Sequence, residues 1–221
     1  MHTDCTNAGV NGESAYVYVC ATPDEQKVLY FAREKKGHEG VKGTVTEDFQ
    51  GILVHDHEIT FYKYGNAHQE CLAHVQRYLK DSMENEPSLT WHRKMRELIR
   101  EMVHYRNEHT DDAHLDPKIV SDFEGKYQEI LEKAGEEYIL HEPSPYYRDG
   151  YNLYLRMQKY KTQHLLFLHD MRVPTTNNTA ERCLRDYKRK QTFAMTFRSF
   201  ESIEELCQSK GVLLGVRKNN P

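Results

Sequence analysis

The sequence predicts an α+β (α/β) fold with a mostly helical insertion in the middle of the chain. Runs rich in β-branched and aromatic residues, which favour strands, are concentrated in the first 54 residues. Apolar residues then recur at helical spacing from about residue 67 to residue 168, and a basic helical segment follows. Strands followed by a run of helices are typical of α+β domains.

The predicted strands rest on residue type and on turn signals. Asn11-Gly12 is a strong signal for a two-residue hairpin, and TPDEQ at 22–26 is prone to form a turn. The fully apolar run GILV predicts a buried strand that leads into Asp56. We therefore expect strands at residues 2–10, 14–21, 27–33 and 51–54.

The predicted helices rest on apolar spacing and on signals at their ends. Asp116-Pro117 is typical of a helix start, and the Pro-containing segment 142–145 interrupts the helical pattern. Asn177 or Asn178 is expected to cap the basic helix at its N-terminus. We expect helices at about residues 67–83, 91–105, 116–131, 151–168 and 179–190.

Length and composition are typical of one domain with a helical elaboration. The chain has 221 residues, of which 38% are hydrophobic, enough for one substantial core. No apolar run approaches the roughly 20 residues of a membrane span and no leader opens the chain, so we expect a cytoplasmic protein. The five cysteines show no CxxC spacing, so buried free thiols are expected instead of disulfides or a zinc site.

Charge is distributed unevenly along the chain. The formal net charge of −4 argues against nucleic-acid binding, because proteins of that class are commonly basic. The segment 172–198 nevertheless contains seven basic residues and two acidic ones, whereas 81–142 is rich in Asp and Glu. A local basic surface is therefore predicted.

Three carboxylates are candidate ligands of Mg²⁺, which prefers oxygen ligands. Asp4 and Asp56 lie on or next to predicted strands, where an unpaired carboxylate is unfavourable. Glu181 lies in the first turn of the basic helix, beside a stripe of arginines. Purely structural roles compete with metal binding for all three residues. An Asp at the end of a strand is more often a turn or cap residue, and an ion pair with Arg185 at i+4 would also account for Glu181.

Several motifs resemble the insertion sequence 66 family of bacterial transposases. TTNNTAERCLRDYKRKQ at 175–191, followed by FRSFESIE at 197–204, resembles the family signature TNN-x-x-ER-x-LR…K-x-K-Q…FRS. ECLAHVQRYLK at 70–80 resembles the family's C-x-AH-x-x-R-x-L-K helix. GILVHDHEITFYKYG at 51–65 resembles the segment around its second catalytic Asp, and HTDCT at 2–6 the shorter segment around its first. The matches are colinear and cover nearly the whole chain.

The resemblance implies one DDE transposase catalytic domain that spans residues 1–221. Its RNase H-like core would comprise about 1–83 and 170–216, with a helical insertion at about 84–169. Asp4, Asp56 and Glu181 would form the catalytic triad and hold Mg²⁺, for which Mn²⁺ can substitute.

The implied activity is DNA strand cleavage and strand transfer at transposon ends. Water and then a DNA 3′ hydroxyl would attack a phosphodiester, with no covalent protein intermediate. The implied partners are transposon ends, target DNA, further copies of the chain assembled on DNA, and accessory proteins of the element. Binding to DNA would place a cytoplasmic bacterial protein at the nucleoid.

Further residues are assigned around the implied site. Support of the site is expected from Asn177, Asn178, Arg77 and His74, although a role in the core accounts for His74 equally well. His55-Asp56 with His169-Asp170 is also the pattern of a His-Asp metal phosphohydrolase, but that fold is all-helical and the early hairpins argue against it. DNA contacts are expected from basic residues that follow Glu181: Arg182, Arg185, Lys188, Arg189, Lys190 and Arg198.

The start of the chain departs from the family pattern. Family members carry a sizeable region for DNA binding and oligomerisation before the first Asp, whereas three residues precede Asp4 here. We therefore expect a truncated copy. Two functions stay open: an active DDE catalytic domain, or a catalytically silent, DNA-binding remnant of one.

Overall fold

Five strands and eight α-helices occur in the part of the chain that the structure, a computed structural model, describes: residues 1–194 and 197–219. The strands are β1 (His2–Val10), β2 (Glu13–Ala21), β3 (Val28–Arg33), β4 (Ile52–His55) and β5 (Ala67–Glu70). The helices are α1 (His38–Val41), α2 (Leu72–Asn85), α3 (Trp91–Glu108), α4 (Pro117–Leu140), α5 (Asp149–Lys159), α6 (Lys161–His169), α7 (Asn178–Ala194) and α8 (Phe200–Asn219). A 3₁₀ helix covers Ile59–Lys63.

The strands form one mixed sheet in the order β3-β2-β1-β4-β5. β1, β2 and β3 are antiparallel neighbours, whereas β1 and β4 run parallel, with His2 opposite Val54. The predicted first hairpin is confirmed: Asn11 and Gly12 have φ values of 48° and 86°. Two positive φ values are what a type I′ turn needs, and this turn matches the twist of the strands on either side.

The antiparallel strands bury apolar residues on both faces of the sheet. On one face, Val17 and Val19 of β2 pack with Ala180, Leu184 and other buried residues of α7. On the other face, Tyr18 packs with Val41 of α1 and with Phe61 of the 3₁₀ helix. Successive strand residues point to opposite faces, which explains why a nearly continuous apolar run forms β2.

The chain divides into two compact units. The first comprises Met1–His68 together with the chain from Asn177 onward, and it contains β1 to β4, α7 and α8. The second, Gln69–Thr176, contains α2 to α6. The insertion predicted at about 84–169 lies inside the second unit. Of the predicted core range 170–216, residues 195 and 196 lie outside the described residues, as do 220 and 221 of the predicted domain 1–221.

The helical unit has a core of its own, in which α3 packs against α2 and α4. Its largest fully buried side chains include Trp91, Tyr127 and Met157. Charged groups are buried with them: Glu70 is fully buried, and the guanidinium of Arg156 binds its carboxylate, with Nε 3.1 Å from Oε2.

Three secondary-structure predictions need correction. The helix expected from residue 67 begins at Leu72, and the preceding residues form β5. The helix expected at 151–168 is two helices that meet at Tyr160. At that break the carbonyl of Met157 accepts a hydrogen bond from the Tyr127 hydroxyl, 3.3 Å away. The third correction is α8, a helix that the sequence does not predict. The described sheet also argues against the all-helical phosphohydrolase alternative.

The cysteines behave as the sequence predicts. All five lie in the described part of the chain, none of them forms a disulfide, and four are buried. Burial raises the pKa of the Cys207 thiol to about 12. Within residues 1–194 and 197–219, no helix combines the length and apolar character that crossing a membrane requires.

Candidate active site

The pairing of β1 with β4 determines where the two aspartates lie. His2 is opposite Val54, and the Val54 amide donates to the Met1 carbonyl at 2.9 Å. Asp4 and Asp56 each come two residues further along in the same direction. Asp4 is also opposite Val19, and Val19 packs against α7. Because opposite residues of paired strands point to the same face of a sheet, the Asp4 side chain projects from the face that α7 covers.

Glu181 is placed by the first turn of α7. The helix buries a stripe of residues against the sheet: Ala180, Cys183, Leu184 and Tyr187. The Glu181 amide donates to the Asn177 carbonyl at 3.1 Å, and its side chain is 19% exposed. A carboxylate in this first turn is favoured by the helix dipole. Arg185 lies 3.4 Å from the carboxylate, so the ion pair expected from i+4 spacing also forms.

Two carboxylates from distant parts of the sequence meet at this end of the sheet. A carboxylate oxygen of Asp56 and one of Glu181 lie within 4.8 Å of each other. Among the described residues of this unit, Asp4 is not part of the close pair; its Oδ1 accepts a hydrogen bond from the Cys5 amide at 2.7 Å. The structure therefore brings Asp56 and Glu181 together, with Asp4 on the neighbouring strand.

The separation of the pair is compatible with a shared Mg²⁺. Oxygens bound to one Mg²⁺ at about 2.0–2.1 Å are at most about 4.2 Å apart, so only a small movement would bring both within bonding distance. Without a cation, two carboxylates at this distance repel by about 1 kcal/mol in water and by more in a partly buried site. The residues present thus fit a divalent cation.

Asn177 connects the start of α7 directly to β1. Its side chain is fully buried; Nδ2 donates to the Thr3 carbonyl, and Oδ1 accepts from Nδ1 of His2, each at 3.0 Å. Burial lowers the pKa of His2, which keeps the ring neutral. The sequence suggests Asn177 as a helix cap, whereas these bonds hold the helix start beside the strand that carries Asp4.

The comparisons with known proteins give the family of the chain. The model of the transposase IS66 family matches residues 1–204. The chain belongs to this family. No curated protein and no solved structure matches it significantly. Membership of a transposase family implies that the substrate is DNA.

The basic residues of this IS66-family chain divide into two groups. In the first group, the Arg182 guanidinium binds the carboxylate of Glu25. The Lys188 ammonium binds the Asn7 carbonyl, and burial lowers the pKa of Lys188. The remaining predicted DNA contacts are exposed side chains: Arg185, Arg189, Lys190 and Arg198. This second group is the one available to a large anion without breaking a contact to the sheet.

The remaining predicted support residues belong to different elements. Asn178 is exposed at the first position of α7. His74 and Arg77 belong to α2 of the helical unit. The His74 ring stacks on Tyr78 with 6.3 Å between centroids, and Arg77 is exposed. A role of these two residues at the site therefore stays a prediction.

A histidine pair beside Asp56 is not predicted by the sequence. His55 is fully buried; its Nδ1 donates to the Asp56 carbonyl at 2.5 Å, and its Nε2 lies 3.1 Å from Nδ1 of His68. Burial lowers the pKa of His68 to about 4, so its ring is neutral at physiological pH. Nδ1 of His55 is the donor because a carbonyl oxygen only accepts, and this His55–His68 relay holds the backbone that carries Asp56.

Proposed function

We propose that this chain is the catalytic domain of a DDE transposase, which cleaves DNA strands and transfers them during transposition of an insertion sequence. The observation that carries the proposal is the proximity of Asp56 and Glu181, within 4.8 Å, in a chain of the transposase IS66 family. Asp4 completes the proposed triad from the parallel neighbour strand. The proposed RNase H-like core, about 1–83 and 170–216, includes the sheet and α7, and the proposed helical insertion at about 84–169 lies inside the second unit.

The proposed cofactor is Mg²⁺, with Mn²⁺ as a substitute, held by Asp4, Asp56 and Glu181. When bound, such ions would favour ionisation of the attacking hydroxyl and neutralise charge on the phosphate. The chain's own residues do the positioning. His55 fixes the Asp56 backbone, and Asn177 holds the start of α7, and with it Glu181, beside β1.

The proposed substrates are transposon ends and target DNA, contacted through exposed basic residues of α7. Arg185, Arg189 and Lys190 lie on the helix that carries Glu181, so phosphates bound by them would pass close to the carboxylates. We further propose that copies of the chain assemble on DNA, that accessory proteins of the element take part, and that the bound protein is found at the nucleoid of a bacterial cytoplasm.

The decisive experiment is a strand-transfer assay with pre-cut transposon ends in Mg²⁺ and in Mn²⁺. Asp56→Asn and Glu181→Gln should each lower the rate by at least about 100-fold, because each removes a metal ligand. Glu201→Gln is the matched control, since Glu201 is an exposed acid in the first turn of α8. Transfer that survives both ligand substitutions would refute the assignment.

The same assay tests the alternative, a truncated, catalytically silent remnant. A remnant would bind DNA through α7 but would transfer no strand with either ion. Activity that depends on Asp56 and Glu181 would exclude that alternative, whereas salt-dependent DNA binding without any transfer would support it.

A further inference from the structure

The helical unit contains a groove that the proposed reaction does not use. It has a volume of about 470 Å³ and lies between the start of α2, one face of α3 and Thr175-Thr176, all within this unit. Its volume is in the range of ligand-binding clefts, about 300–1,000 Å³. The apolar part of its lining comes from Leu72, Ile99 and Val103.

The polar lining of the groove includes three basic side chains. Arg96, Arg100 and His104 are each four residues apart on α3, so they form a row along one face of the helix. No acidic residue is among the described residues that line the groove. Leu72 and Ala73 are the first two residues of α2, whose N-terminal dipole adds positive potential.

The two arginines have no anionic partner among the described residues. Across residues 1–194 and 197–219, neither Arg96 nor Arg100 forms an ion pair, and Nε of Arg96 is buried without a hydrogen-bond acceptor. A buried charged donor without an acceptor is unfavourable, so this site favours an anionic ligand. Arg100 is exposed beside it and can contact the same ligand.

We propose that this groove binds the sugar-phosphate backbone of a DNA strand, as a contact separate from α7. Four residues of helix rise by about 6 Å, so Arg96 and Arg100 present two cations at a spacing suited to successive phosphates. A small free anion would not need two cations at this spacing. The apolar part suits deoxyribose. The choice of DNA as the polyanion rests on the proposed function.

The test is DNA binding by the full chain in EDTA, measured by fluorescence anisotropy of a labelled duplex over a range of salt concentrations. Arg96→Ala with Arg100→Ala should weaken binding by about tenfold or more and lower the slope of log K against log salt by about two. Arg93→Ala with Lys94→Ala is the matched control, because it removes the same charge from exposed positions of α3 outside the groove.

Two exposed single substitutions protect the test against loss of folding. Arg100→Ala alone should lower the slope by about one. Asn107→Asp adds a negative charge to the groove and should weaken binding, whereas Asn85→Asp, near the end of α2 outside the groove, should not. Melting temperatures of all variants establish that they fold.

The outcomes separate this inference from the proposed function. Groove variants that match the control in affinity and slope, with strand transfer intact, overturn the groove alone. A wild-type chain that binds no DNA at any salt concentration overturns both. A loss of DNA affinity that is confined to the arginine variants and Asn107→Asp supports the groove as a second DNA contact.

Discussion

The close pair of Asp56 and Glu181 predicts that Mg²⁺ shifts their energetic coupling from repulsion towards attraction. Without metal, two charges within 4.8 Å repel by at least about 1 kcal/mol in water and by about 3.5 kcal/mol at an effective dielectric of about 20. Asp56→Asn or Glu181→Gln removes this repulsion, and the second substitution then adds nothing more. The coupling energy in EDTA should therefore lie between about 1 and 3.5 kcal/mol.

A bound cation turns the same proximity into stabilisation. With Mg²⁺ at about 100 times its dissociation constant, binding adds about 2.7 kcal/mol to the free energy of unfolding of the wild type. Either substitution removes most of that gain. A double-mutant cycle is needed because Glu181→Gln also loses the Arg185 ion pair and the favourable helix-dipole position, and both effects cancel in the coupling energy.

The assay is urea unfolding, followed by far-UV circular dichroism, of the wild type, both single variants and the double variant. Each is measured in EDTA and in MgCl₂. A second cycle that combines Asp56→Asn with Glu201→Gln should show additive effects in both buffers. The effects of substitutions at distant, independent sites add to within about 0.5 kcal/mol. A coupling energy below that value in EDTA would therefore refute the close approach of the two carboxylates. Coupling that Mg²⁺ leaves unchanged would refute the metal site.

Three further perturbations follow from buried polar contacts. In urea unfolding, Asn177→Ala should lower the free energy of unfolding by about 2–4 kcal/mol, because it leaves the Thr3 carbonyl and His2 Nδ1 without their hydrogen-bond partner. Asn178→Ala, which truncates an exposed side chain, should change the free energy of unfolding by less than about 1 kcal/mol. Because burial holds the pKa of His68 at about 4, below its unfolded value of 6.5, the unfolded chain binds an extra proton between those pH values. The stability that this group contributes is complete above about pH 6.5 and is lost as the pH falls towards 4. His68→Gln should therefore lower the slope of the free energy of unfolding against pH in this range by up to about 1.4 kcal/mol per pH unit. An NMR titration of His68 with a midpoint near 6.5 would contradict this prediction. Glu70→Gln should cost the helical unit about 3–5 kcal/mol in thermal unfolding, because it leaves the Arg156 cation, which is only 12% exposed, without its carboxylate. Glu129→Gln, in an exposed pair with Lys133, should cost under about 1 kcal/mol.

The elements that local chemistry specifies are predictable from the sequence. Asn11-Gly12 can adopt the two positive φ values that join β1 to β2, and Asp116 accepts a hydrogen bond from the Lys118 amide at the start of α4. β5 is not predictable in this way because Ala67–Glu70 contains no β-branched or aromatic residue. The break at Tyr160 has no Gly or Pro signal, and the Tyr127 hydroxyl that binds the Met157 carbonyl there comes from another helix.

The candidate site is predictable in part for the same reason. Asp56 follows an apolar strand and Glu181 belongs to a specific motif, so both can be singled out without coordinates. The His55–His68 relay depends on a contact across the sheet, and neither residue carries a local signal for it. Asn177 can be singled out, but its target cannot, because a cap and a long-range clamp require the same side chain.

The clamp between Asn177 and Thr3 also constrains when the site can form during synthesis. Its partners are separated by 174 positions, so β1 leaves the ribosome long before the start of α7. At about 5–20 residues per second, the delay is on the order of 10–30 s. A nascent chain with only β1 to β4 would hold two of the proposed metal ligands without the third. On the proposed function, DNA cutting would therefore wait until the start of α7, which carries Glu181, has been synthesised.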